Sequence, residues 1–220
     1  DRYKDETMDL KWASEKVRKL IDKHLLSLGI DTKVFEVSIL SDEFRNNVDL
    51  LNKTPKSKAS EMEHAIRWHI KVNLEKDPTL YARFKDKLET ILHAYQENWE
   101  EIVKELGKLR DEMSEGRTPE TDGISIIEAP FYDLIKVALS ITDETEINLT
   151  KELTHNLIEI LKETAAINNF WSDRAAERRR IEGLLEDEIR YSGIKEVSGK
   201  ALELTTELMK LAKNRESHLR

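Results

Sequence analysis

No cysteine occurs in the 220 residues. That removes disulfides, thiolate metal ligands and cysteine nucleophiles together, and it suits a reducing, cytoplasmic setting. Glycine and proline are scarce, at 7 and 4 residues, so little of the chain is available for tight turns. The glycines stand singly, and no Gly-x-x-x-x-Gly-Lys-[Ser/Thr] run is present to cradle the phosphates of a nucleotide. No apolar run approaches the roughly 20 residues needed to span a bilayer, and no signal-peptide pattern opens the chain. What is plentiful is Leu, Glu and Lys. With 39% hydrophobic and 36% charged residues, the composition describes amphipathic helices with solvated outer faces. A net charge of −8 argues against nucleic-acid binding over the whole surface and leaves room for a local basic patch only. The chain opens Asp1-Arg-Tyr-Lys4 with no initiator Met, which reads as a start inside a longer protein.

Periodicity predicts an all-α fold: an irregular bundle of about seven or eight helices organised around one long helix. Leu10, Ala13, Val17, Ile21, His24, Leu25 and Leu28 share one side of a first helix that Gly29 ends. Trp12 and Leu26 project from its other side, so this helix has two apolar faces. Either both are buried within the chain, or Trp12 faces a neighbouring domain. Residues 34–40 read as extended, Ser41-Asp42 as the cap of a short helix to about Leu51, and residues 53–58 as a polar linker. A helix over about 59–74 centres on Met62, Ala65, Ile66 and Ile70. Asp77-Pro78 is a strong helix start, an N-cap residue followed by proline at the first helical position.

From there Leu80, Phe84, Leu88, Ile91, Tyr95, Trp99, Ile102, Leu106, Leu109 and Met113 keep one phase. The phase predicts a single helix over about 78–113, and truncating Ile91 or Leu106 to Ala within it is expected to cost about 2–5 kcal/mol. Gly116, Pro119 and Gly123 mark the best internal boundary. The expected organisation is a helical part over 1–115, a linker over 116–126, and a C-terminal helical part over 127–220 that packs on the first. In that last part Pro130 opens a helix to about Leu139, and another covers about 149–167. Asn168-Asn-Phe-Trp171 is a break with two anchoring aromatics, and Asp173 caps a helix to about Tyr191. The final helix carries Val197, Ala201, Leu204, Leu208 and Leu211 on one face.

Several stretches carry a family resemblance: Leu10-Lys-Trp-Ala-Ser-Glu-Lys-Val-Arg-Lys-Leu-Ile21, the run from Glu61 to Leu80, Asn98-Trp-Glu-Glu-Ile102, Ala129-Pro-Phe-Tyr132 and Asn168-Asn-Phe-Trp171. In this order and spacing the chain resembles the C-terminal helical region of the restriction (R) subunit of type I restriction–modification enzymes. In that family the nuclease and the pair of motor domains precede the helical region, which helps attach the subunit to the methyltransferase–specificity core. The resemblance therefore implies an assembly segment with no catalytic, cofactor-binding or metal residues of its own. ATP and Mg²⁺ would be used by other domains of the parent enzyme. The implied partners are the methyltransferase and specificity subunits and the motor domains of the same R subunit, with no membrane. DNA contact is implied for the parent complex, not for this segment in particular.

Other constellations carry less. Glu61/His64 and Glu152/His155 have the Glu-x-x-His spacing of di-metal carboxylate bundles, but such pairs arise by chance in so Glu-rich a chain. Both histidines also fall away from their apolar stripes. His24 and His69 lie on apolar faces and read as hydrogen-bonded core histidines. Arg174, Arg178, Arg179 and Arg180 are the densest basic cluster. Arg174 and Arg178 share a side, where they suit an ion pair across a helix interface, a partner-protein contact or a phosphate contact. Trp12, Arg174 and Arg178 are thus the candidate partner contacts. Two other classes compete with the assembly reading. An autonomous helical-bundle di-metal oxidoreductase would be separated by metal analysis, and a generic helical interaction scaffold by pull-down against the restriction subunits.

Overall fold

The computed structural model describes residues 39–41, 44, 54–117, 123–195, 197 and 199–220. Among them the chain forms nine helices and no sheet. They are α1 (Pro55–Asn73), α2 (Pro78–Tyr95), α3 (Trp99–Glu115), α4 (Ala129–Leu139), α5 (Glu144–Ala165), α6 (Phe170–Asp173), α7 (Ala175–Arg190), α8 (Ala201–Asn214) and α9 (Glu216–Leu219). The all-α expectation holds. The first predicted helix and Trp12 lie outside the described residues, as does most of the extended segment over 34–40. Its last two residues, Ile39 and Leu40, sit in a turn.

The single helix over 78–113 does not form. Residues 96–98 break it, and α2 and α3 run antiparallel, with Lys87 paired to Glu112 across the hairpin. Asn98 supplies the restart: its Oδ1 accepts the Glu101 N–H at 3.4 Å, and Glu100 and Glu101 sit in the first turn, where acidic groups favour the helix N-terminus. Gln96 takes φ +38° to reverse the chain. Phase survives because both arms turn the same face toward α1, against which each packs. Continuity of phase therefore cannot distinguish one long helix from a hairpin about a common neighbour. The burial pattern records the break: Leu80, Phe84, Leu88, Ile102, Leu106, Leu109 and Met113 are buried, whereas Ile91 and Trp99 are half-buried and Tyr95 is exposed. Truncation of Ile91 should accordingly cost less than truncation of Leu106.

Three further boundaries move. The helix expected from about 149 starts at Glu144, where Asp143 Oδ1 accepts the Thr145 and Glu146 N–H groups. The linker read over 53–58 is largely helix: Thr54 caps α1, its Oγ1 accepting the Ser57 N–H at 3.3 Å, with Pro55 at the first helical position. Asp173 closes the one-turn α6 instead of capping α7, whose N-cap is Arg174 with no side-chain cap bond. Asn169, at φ +58°, makes the bend before α6 and lets Phe170 enter the core with 1% of its surface exposed.

Two apolar clusters result. The first gathers Ile39 and Phe44 with α1, α2 and α3, around Ile66, Phe84, Leu88, Ile102 and Leu106. The second gathers α4, α5, α7 and α8 with the short α6 and α9, around Phe131, Ile135, Leu157, Ile158, Leu185 and Leu208. Within the second, α5 presents Thr150, Thr154 and Thr164 inward. Each hydroxyl donates to the carbonyl one turn back at 2.7 Å, so these buried polar groups are satisfied. The two clusters are separate, and α2 packing on α4 joins them.

Candidate functional site

The densest polar geometry lies where the clusters meet, around the α1–α2 turn. Asp77 caps α2, its Oδ1 accepting the Leu80 N–H at 3.2 Å, and its side chain is only 6% exposed. Arg117 grips it with two nitrogens, Nε to Oδ2 at 2.6 Å and Nη2 to Oδ1 at 2.9 Å. The remaining nitrogen of that guanidinium, Nη1, reaches Asp133 Oδ2 on α4 at 2.9 Å. Thr79 fills the corner, 3.2 Å from Arg117 Nη2 and 3.5 Å from Asp133 Oδ2. From the other side Arg215 Nη1 donates to the Lys76 carbonyl at 3.0 Å and Asn214 Nδ2 to the Glu75 carbonyl at 3.2 Å. Burial penalises the Arg117 charge, but Asp77 and Asp133 outweigh it and raise its pKa further. Arg215 goes the other way. Burial lowers its pKa, Asp77 opposes that, and Arg117 adds to it. Its Nε is buried without a partner.

A second polar cluster opens α4. Ser125 and Glu128 form a reciprocal capping box: the Ser125 N–H donates to Glu128 Oε2 at 2.9 Å, and the Glu128 N–H donates to Ser125 Oγ at 3.4 Å. His155 Nδ1 on α5 lies 2.7 Å from Glu128 Oε1. Burial pushes the Glu128 carboxyl up, but the bonds from Ser125 and His155 outweigh it and hold it below its ordinary value. The fold thus pairs His155 with Glu128 and not with Glu152 of its own helix. His64 is exposed on α1, as its phase predicts. His69 is half-buried, its Nε2 3.5 Å from the Tyr81 hydroxyl, and burial followed by the nearby Lys76 lowers its pKa.

Of the candidate contacts, Arg178 donates from Nη1 to the Phe170 carbonyl at 2.6 Å, which ties α7 to α6 through a main-chain oxygen, not a carboxylate. Arg174 is exposed at the start of α7, and Arg180 pairs with Glu177 at 2.6 Å. Among the described residues the most exposed large apolar side chains are Val137 on α4 and Leu202 on α8, each 68% exposed, with Tyr191 after α7 at 80%. A Lys200 Nζ bond to the Ala138 carbonyl, 3.0 Å, draws the end of α4 to the start of α8. An open groove of about 460 Å³ runs between α2 and α3, lined by Lys87, Thr90, Ile91, Lys108, Leu109 and Glu112 among others. Among the described residues no helix is long and apolar enough to cross a membrane.

Sequence reading missed the Asp77–Arg117–Asp133 set because its members lie 40 and 16 residues apart with no local pattern joining them. The Ser125-x-x-Glu128 box was legible by spacing, but it straddles the boundary between the expected linker over 116–126 and the C-terminal part.

These features define an all-α protein of two helical clusters joined through a charged seam. A sequence-family profile described as "Type I restriction enzyme HindI endonuclease subunit-like, C-terminal" matches residues 8–214, and the chain belongs to that family. No curated protein and no solved structure matches it.

Proposed function

We propose that this chain is the region through which a type I restriction endonuclease subunit assembles with its methyltransferase–specificity core. The family match over residues 8–214 carries the reading, since it assigns nearly the whole chain to the C-terminal region of such a subunit. The exposed apolar side chains of Val137 and Leu202 support it. A protein interface needs a desolvated apolar centre, and residues of this size contribute little until a partner covers them. Arg174, exposed at the rim of α7, and Trp12 are further contact candidates. In this reading the chain itself hydrolyses neither ATP nor DNA, and ATP and Mg²⁺ act in other domains of the parent subunit.

The test mixes the purified 220-residue chain with the methyltransferase–specificity core of the same system and follows both by size-exclusion chromatography. Co-elution that Val137→Ser/Leu202→Ser weakens supports the proposal. Separate elution at micromolar concentrations of both components contradicts it.

A further inference from the structure

We propose that the turn over residues 75–79, gripped by Arg117, Asp133 and Arg215, is a releasable polar latch that lets the two helical halves part without either unfolding. The claim stands apart from the docking reading and concerns the chain alone.

Three observations converge. First, the buried apolar side chains fall into two separate clusters, one in each half, and the packing between the halves is that of α2 on α4. Second, the hydrogen bonds between the halves gather on one turn. Asn214 and Arg215 at the end of α8 hold the Glu75 and Lys76 carbonyls, and Asp133 on α4 takes Arg117 and Thr79. Arg117 itself comes from just beyond α3, so it belongs to the first half, braces Asp77 there, and spends its third nitrogen on the second half. Third, closing the seam desolvates charge. Asp77 is 4% exposed and Arg215 8% exposed, with Arg215 Nε lacking a partner.

The energetics follow. Buried ion pairs fix geometry more than they stabilise, because desolvation cancels much of the attraction. Opening the seam loses the α2–α4 packing, Arg117–Asp133, Thr79–Asp133 and two side-chain bonds to main-chain carbonyls, but it returns water to Arg215. An apolar interface would gain no such compensation. Polar seams between domains are where relative motion is expected, and discrete repacking at such a seam is how hinged proteins switch. The Arg117–Asp77 pair stays within the first half on opening, so the turn keeps its cap and the half its fold.

The absence of native cysteine allows clean labelling. Lys104→Cys on α3 and Leu202→Cys on α8, both exposed, place one spin label on each half, and pulsed dipolar spectroscopy reads their separation. The separation is compared in this background and in one carrying Asp133→Asn with Asn214→Ala, which cuts one tie on each side of the turn. Hydrogen exchange is followed at the same time. The expected result is a distance distribution extended to longer separations and amide exchange in the 75–79 turn faster by at least about tenfold, the size of one lost charge-assisted bond. Amides at Leu106 and Leu157 should keep their parental protection. An unchanged distribution overturns the latch. So does simultaneous loss of protection at Leu106 and Leu157, which would mark the seam as part of one cooperative core.

Discussion

Arg117 and Asp77, separated by 40 residues, meet through two parallel hydrogen bonds of 2.6 and 2.9 Å in a site that leaves the carboxylate 6% exposed. Removing one partner of such a pair leaves the other charge buried and uncompensated, which costs more than the pair itself contributes. Arg117→Ala is therefore expected to destabilise the chain by about 3 kcal/mol in urea unfolding. A loss within about 0.5 kcal/mol, the range of ordinary surface substitutions, would show that the carboxylate finds water in place of the guanidinium.

Gln96 decides between hairpin and continuous helix by sign. At φ +38° a side chain is strained and glycine is not, so Gln96→Gly should stabilise the protein by up to about 1 kcal/mol. In an unbroken helix the same change would cost about 1 kcal/mol. Chemical denaturation of the variant reads the difference directly.

Gly107 sits inside α3, and a Cβ added there meets nothing within 4 Å. Gly107→Ala should raise stability by about 0.5–1 kcal/mol through helix propensity alone. Gly116, at φ +66°, ends the same helix in a conformation that L side chains rarely adopt, so Gly116→Ala should move the unfolding midpoint the other way.

Acid should weaken the fold in two stages. Burial, then Lys76, holds His69 below its ordinary 6.5, and burial, then Arg215 and Lys76, does the same for His218. A depressed folded pKa means that the contribution is complete above the unfolded value and is lost as pH falls through the folded one. The same sign holds for Glu128, kept below 4.5 when the bonds from Ser125 and His155 overcome its burial. The urea midpoint should therefore decline from below about pH 6.5 and more steeply below about pH 4.5. In Glu128→Gln the second decline should be shallower. A midpoint that rises on acidification would reverse the assigned signs.

Local chemistry was legible in the sequence wherever it was complete within a few residues. Asp77-Pro78 starts α2 as its cap pattern predicts. Ser41 Oγ accepts the Phe44 N–H at 3.2 Å, and most of the short helix expected to follow it lies outside the described residues. Thr54-Pro55 carries the same signal, and the lysines around it led to a linker reading that the structure replaces with the first turn of α1. Met62, Ala65, Ile66 and Ile70 are buried because 3.6-residue periodicity is a one-helix property. The α2–α3 break was not legible from phase, since a hairpin with both arms facing α1 preserves it; Asn98-Trp-Glu-Glu101, a cap residue with two acids in the next turn, is the local stop-and-start signal. The charged seam was illegible for a different reason. Arg117, Asp133 and Arg215 are ordinary surface residue types until tertiary packing encloses them. Arg178 illustrates the same limit, because its partner is a main-chain carbonyl that no sequence pattern encodes.

The central claim is that this region attaches the endonuclease subunit to its core, and the affinity of that attachment tests it most directly. Titration calorimetry would compare the intact subunit with one lacking the sequence of these residues, each against the methyltransferase–specificity core. The truncated subunit should first be shown to retain folded motor and nuclease domains by hydrogen exchange. The account predicts binding weaker by at least about a hundredfold, roughly 2.7 kcal/mol, on removal of the region. Equal affinity for the two forms would contradict it.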